Sequence, residues 1–141
     1  MKNEIISSSV EETLNVAADI GRRAGRGDII TLTGELGAGK TVFARGIAHG
    51  MGIEDDITSP TFSLMEVHEG DIPLYHFDLY RIESPSELDE LGFEEFWEGD
   101  GISIVEWPER AAGRLPSRVT AVIIEYTGTE SRRITVEYPD N

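Results

Sequence analysis

The chain has 141 residues, of which 27 are acidic and 12 basic, giving a formal net charge of −15 at neutral pH. That length suits one domain with a proper core, and the absence of cysteine excludes a disulfide framework or a thiolate metal site. So acidic a chain is repelled by nucleic acid phosphates, which argues against an independent DNA- or RNA-binding role and leaves either host adaptation or docking on a basic partner as the reason for the charge. No stretch approaches the ~18 consecutive apolar residues of a membrane span. Lys2-Asn3-Glu4 opens no signal-peptide pattern, so a cytoplasmic protein is the expectation.

Residues 2–6 read as a first strand. Ser9-Val10-Glu11-Glu12 is a capping box: the serine hydroxyl and the glutamate carboxylate satisfy backbone N–H groups at the start of a helix. Leu14, Ala17, Ala18 and Gly21 then give that helix a narrow face running to about Gly25. Asp28-Ile29-Ile30-Thr31-Leu32-Thr33 is a β-branched run of the kind a buried strand requires.

Gly34-Glu35-Leu36-Gly37-Ala38-Gly39-Lys40-Thr41 follows directly and is a full G-x-x-x-x-G-K-[ST] phosphate-binding loop. Its glycines let successive N–H groups turn inward around phosphate oxygens. Lys40 supplies a point charge to the terminal phosphates and the Thr41 hydroxyl is a ligand for Mg²⁺. Phe43, Ile47 and Met51 recur every fourth residue, predicting a helix ended by Gly50 and Gly52. Strand, loop and helix are in the order that aims a helix N-terminus at a phosphate. The pattern implies a nucleoside triphosphate ligand.

A polar loop, 54–60, leads into Thr61–His68, and Gly70-Asp71 turns the chain into Leu74–Leu79, predicting an antiparallel hairpin. Within the loop, Thr58-Ser59-Pro60-Thr61-Phe62 sets hydroxyls around a stiff turn, a switch-like segment in which Thr61 would sense the γ-phosphate. His76 and Asp78 share one strand face; His76 alone reads as a structural hydrogen-bonding residue, and no familiar ligand spacing supports a zinc site. Ser84-Pro85-Ser86-Glu87 starts a short acidic helix through Leu88 and Leu91. Ile102–Val105 is a brief apolar strand ending at Glu106, either the acid that holds Mg²⁺ in such sites or a solvent-facing strand end. Val119–Tyr126 and Arg133–Tyr138 form a closing hairpin around Gly128. The expected fold is α/β: a single P-loop NTPase-like domain over 1–141 with a mixed central sheet flanked by helices.

GELGAGKT, SPTF, HFDLYR and IVEWPER, in this order in so short a chain, resemble the TsaE (YjeE) family of P-loop ATPases of bacterial tRNA threonylcarbamoyladenosine synthesis. The likeness covers about residues 9–112 closely and the final hairpin loosely. It implies that Gly34 to Gly39 cradle ATP, that Lys40 and Thr41 are the phosphate lysine and magnesium threonine, and that Glu106 holds Mg²⁺ directly or through water. Thr61 would stand near the γ-phosphate and Asp78 would orient water or support the metal. Thr13 would line the adenine pocket, Trp107 would report nucleotide occupancy or simply pack beside Pro108, and Arg133 is a further candidate on the nucleotide side. Glu35 stands where many relatives have aspartate, which keeps the charge.

The family reading also implies that the transferase is TsaD, supported by TsaB, with tRNA met only through that complex. Lacking an arginine-rich lid or a water-positioning glutamine, the chain is expected to hydrolyse ATP slowly until its partners complete or order the site. Two other readings use the same loop. A small-molecule kinase would need an acceptor pocket and grouped arginines. A GTPase-type switch would need an N-K-x-D motif that neither lysine provides, and the D-x-x-G match at Asp89–Gly92 falls inside the capped acidic helix.

Overall fold

The computed structural model describes residues 2–35, 39–54, 57, 64–111 and 113–139. The strands are β1 (Lys2–Ser7), β2 (Ile29–Thr33), β3 (Met65–His68), β4 (Leu74–Asp78), β5 (Ile102–Glu106), β6 (Thr120–Tyr126) and β7 (Arg132–Glu137). The helices are α1 (Val10–Arg23), α2 (Lys40–Gly50), α3 (Ser86–Leu91) and α4 (Glu94–Trp97), with a 3₁₀ turn over Pro108–Ala111. All seven strands form one sheet in the order β1-β7-β6-β2-β5-β4-β3. β4, β5, β2 and β6 run parallel, whereas β3, β7 and β1 pair antiparallel, so the mixed sheet expected from the sequence is present.

The predicted elements appear at nearly their predicted limits. Ser9 caps α1 by accepting from Glu12 N at 3.1 Å, and the Glu12 carboxylate accepts from Ser8 N at 3.2 Å. Ahead of α3 the Ser84 hydroxyl accepts from Ser86 N at 3.4 Å. The Glu87 carboxylate reaches back to the N–H groups of Glu83 and Ser84, which holds it below the usual glutamate range. α4 and the 3₁₀ turn had no counterpart in the sequence reading. The segment 61–63 of the predicted hairpin lies outside the described residues, and the pairing begins at Met65 opposite Phe77.

Two apolar layers sandwich the sheet. On one face α1 and α2 cover Ile30, Leu32, Ile104, Val122 and Ile134 through Ala17, Ile20, Phe43, Ala44 and Ile47. On the other, Leu88, Phe93 and Trp97 close over Phe77, Val105 and Ile29. There Phe77 meets Phe93 and Trp97 edge-on at 4.9 and 5.7 Å between ring centroids, a favoured aromatic geometry. Among the described residues no helix is long and apolar enough to cross a membrane.

α1 and α2 approach closely because glycine stands where they meet. A Cβ on Gly21 would lie 2.1 Å from the Ile47 carbonyl oxygen, and one on Gly50 would lie 2.0 Å from that of Ala18. Gly21→Ala is therefore expected to lower the unfolding free energy by about 1–3 kcal/mol despite alanine's better helix propensity. Gly25→Ala, whose Cβ would meet nothing within 4 Å, is the control and should be close to neutral in the same urea titration.

Candidate functional site

The carboxyl ends of β2, β5 and β4 lie side by side, where open parallel sheets place their ligand sites. Register sets Leu32, Glu106 and Asp78 level with one another. β2 runs on into Gly34 and Glu35, and the chain re-enters at Gly39, whose φ of 105° is a conformation suited to glycine. α2 then starts with Lys40 and Thr41. The first turn of a helix after a parallel strand thus faces the two strand-end acids. Leu36, Gly37, Ala38 and Thr61 lie outside the described residues.

Lys40 is 6% exposed. Its Nζ sits 3.6 Å from the centroid of the Trp107 ring and has no hydrogen-bond partner among the described residues. Burial pushes its pKa below the ordinary lysine value, against the opposing pull of Glu106, Asp78 and Glu109. Trp107 follows Glu106 in a left-handed conformation, φ 58°. Its ring also meets Tyr80 at 5.0 Å, so one indole bridges the lysine and the HFDLYR segment.

Glu106, 2% exposed, does not face solvent. Its Oε2 lies 2.6 Å from Nε2 of the fully buried His76, one step back along β4. Asp78 is half-buried, and its Oδ1 accepts from Tyr80 N at 3.0 Å. Burial raises the Asp78 pKa. Tyr80 N–H opposes the shift, the Glu106 carboxylate adds to it, and His76 and Lys40 oppose it further.

A raised carboxyl pKa means the folded state holds its proton more tightly than the unfolded chain. The charged form therefore costs stability above the folded pKa, and that cost is relieved as pH falls toward 3.8. Asp78→Asn, which keeps an oxygen for Tyr80 N, is expected to raise the ligand-free melting midpoint at pH 7 and to lose that advantage near pH 4. Scanning calorimetry at both pH values checks it.

These observations fit a bound polyphosphate and a hard cation. An orphaned, buried ammonium at a helix start suits a phosphate oxygen, and two neighbouring carboxyl groups suit a cation. The oxygens of Thr41 and Glu106 are the donors Mg²⁺ takes. Among the described residues no group of three or more His, Cys, Asp or Glu is arranged to hold a metal. A magnesium ion bound mainly through phosphates and water needs only one or two protein carboxylates.

Thr13, with Gly39, Val42 and Arg132, lines a small cleft beside the start of α2. Its hydroxyl is 2.6 Å from Ser7 Oγ and 3.2 Å from the Ser9 carbonyl, so it also ties β1 to α1. Arg133 lies elsewhere, 3.6 Å from Glu4 on β1. Its neighbour Arg132, unnoticed in the sequence, is the arginine of this cleft. It is anchored by donating to the Gly128 and Ser131 carbonyls at 3.2 and 2.8 Å. Adjacent residues on a strand face opposite ways, and only the register with β1 and β6 tells which one faces the cleft. Asp89 of the D-x-x-G match is engaged with Arg114 at 3.0 and 3.1 Å, a surface pairing between α3 and the segment after the 3₁₀ turn.

Comparison with known proteins agrees with this geometry. Residues 7–134 match the family model described as "Threonylcarbamoyl adenosine biosynthesis protein TsaE". The chain is 38% identical over 131 residues to the tRNA threonylcarbamoyladenosine biosynthesis protein TsaE of Treponema pallidum, covering 93% of this chain and 97% of that one. It is 42% identical over 126 residues to the protein of the same name from Bacillus subtilis, covering 89% and 78%. The crystal structure of Bacillus subtilis YdiB superposes with a TM-score of 0.84 at 34% identity, over 100% of this chain and 88% of that one. With a seven-stranded sheet that follows a solved relative throughout and a family match across most of its length, the chain belongs to the TsaE family.

Proposed function

We propose that this chain binds ATP with Mg²⁺ between α2 and the ends of β4 and β5, and that it hydrolyses ATP as an accessory to tRNA threonylcarbamoylation in the cytoplasm. TsaD with TsaB would perform the transfer and carry the contact with tRNA. The observation that carries the reading is the buried Lys40 ammonium with no hydrogen-bond partner among the described residues, placed after GELGAGKT and facing Asp78 and Glu106. The names of the relatives supply the pathway.

In this reading the glycine loop from Gly34 to Gly39 holds the phosphates, and Lys40 leaves the Trp107 ring to neutralise the terminal ones. Thr41 and Glu106 are the metal-side oxygens, and Asp78 orients the attacking water. Thr61 stands on the γ-phosphate side, and Thr13 with Arg132 borders the base or ribose. Mg²⁺, when bound, would supply neutralisation of the phosphate charge. Phosphoryl transfer to water depends on in-line positioning and charge stabilisation. The described arginines are mostly occupied elsewhere: Arg22 and Arg23 with Asp19, Arg26 with the Asp71 and Asp100 carbonyls, Arg110 with the Ile82 carbonyl, Arg114 with Asp89, and Arg133 with Glu4. Hydrolysis by the chain alone is therefore slow.

ATP turnover measured alone, then with TsaD, TsaB and unmodified tRNA, tests the proposal. Turnover that rises with the partners, together with tRNA modification, supports it. Rapid turnover by the chain alone and indifference to the partners would overturn it.

A further inference from the structure

His76 takes no part in the function as stated, yet it is the most completely buried ionisable side chain of the site. It is 0% exposed, and its Nε2 lies 2.6 Å from Glu106 Oε2, a short bond between neighbouring parallel strands. Register pairs Asp78, not His76, with Glu106; His76 pairs with Ile104, one step back on the same face. The Glu106 side chain thus folds back along the sheet toward the imidazole instead of extending past the strand end. A glutamate at a strand end has three rotatable bonds and in isolation samples many directions.

We propose that His76 is the positioning residue of the site: by donating from Nε2 to one carboxylate oxygen, it fixes Glu106 so that the other oxygen faces the metal side. The inference rests on the assignment of Glu106 to Mg²⁺. Hydrogen-bond partners behind a metal-side group commonly change metal affinity or activity by about 10–100-fold when removed. The same bond explains how a carboxylate only 2% exposed is tolerated before any cation arrives. His76 Nδ1 has no hydrogen-bond partner among the described residues. The ring's one hydrogen bond among the described residues is therefore with Glu106.

The test compares His76→Leu, which removes the donor, with His76→Gln, whose amide can donate from near the position of Nε2, and with His76→Asn, whose shorter side chain cannot reach it. Mn²⁺ binding to the ATP-loaded protein is read by electron paramagnetic resonance. ATP affinity without a divalent cation is read with a fluorescent analogue, and turnover as a function of Mg²⁺ gives a third measure. His76→Leu should weaken Mn²⁺ binding and lower turnover by about 10-fold or more, while cation-free ATP affinity stays within about threefold of the unmodified protein. His76→Gln should recover most of the loss. If His76→Leu does not fold, the contrast between His76→Gln and His76→Asn carries the same test.

Unchanged Mn²⁺ binding in His76→Leu, or equal losses in His76→Gln and His76→Asn, would overturn the proposal. Glu106→Gln, run in parallel, separates the two claims. If it leaves Mn²⁺ binding and turnover intact, the assignment of Glu106 itself fails. If it loses both while His76→Leu does not, only the positioning role falls.

Discussion

Lys40→Ala is expected to reduce ATP affinity by at least about 100-fold, equivalent to roughly 3 kcal/mol, the scale of removing a preorganised charge from a desolvated site. The loss should appear in equilibrium binding as well as turnover, because the amine meets phosphate in the ground state too. The ligand-free protein should respond in the opposite sense. The ammonium lies in a buried position with no hydrogen-bond partner among the described residues, and burial holds its pKa below the ordinary value. A lysine whose folded pKa is lowered destabilises fully below that folded pKa, and the cost is relieved as pH rises from there toward 10.5. Lys40→Met keeps the buried stem and removes the charge. It should therefore raise the neutral-pH melting midpoint and flatten the gain in stability otherwise seen toward alkaline pH. Calorimetry from pH 7 to pH 10 reads both effects.

Glu106→Gln is expected to cut Mg²⁺-dependent hydrolysis by about 10²–10³ with ATP still bound, since the lost interaction is with charge developing during transfer. The glutamine oxygen still accepts from His76, so the urea midpoint should stay close to that of the unmodified protein. Glu106→Ala should lose hydrolysis to the same degree and also stability, by about 1–3 kcal/mol, because His76 Nε2 is then left buried without an acceptor. The pair of variants distinguishes a catalytic carboxylate from a structural one: hydrolysis that survives in Glu106→Gln and fails only in Glu106→Ala would make the residue structural.

Local signals made much of this legible. The capping box at Ser9, the β-branched run before Gly34 and the four-residue spacing after Lys40 each encode a short-range preference, and the structure keeps each within a residue or two. α4 escaped because four residues carry no periodicity, and its place is set by Phe93 and Trp97 meeting Phe77 from another part of the chain. The burial of Glu106 escaped for a related reason. Its partner is 30 residues away, and nothing at either position encodes the strand pairing that joins them. Gly50 offered only a helix ending; its contact with α1 is a tertiary demand. The site residues were named from motifs, but which acid is held, and by what, required the sheet.

The order of the sheet has a consequence for how the molecule assembles. The strands whose ends carry the glycine loop and the two acids, β2, β4 and β5, are complete by residue 106. β1, the first strand made, pairs among the described residues only with β7, joining Lys2–Ser7 to Arg132–Glu137. Such distant pairing forms late, because the chain between must close before any contact rewards it. During synthesis on a ribosome the opening strand must therefore wait for the closing one. A chain cut after Tyr126 would keep all of β2, β4 and β5 yet leave β1 with no strand to join, an exposed edge inviting aggregation.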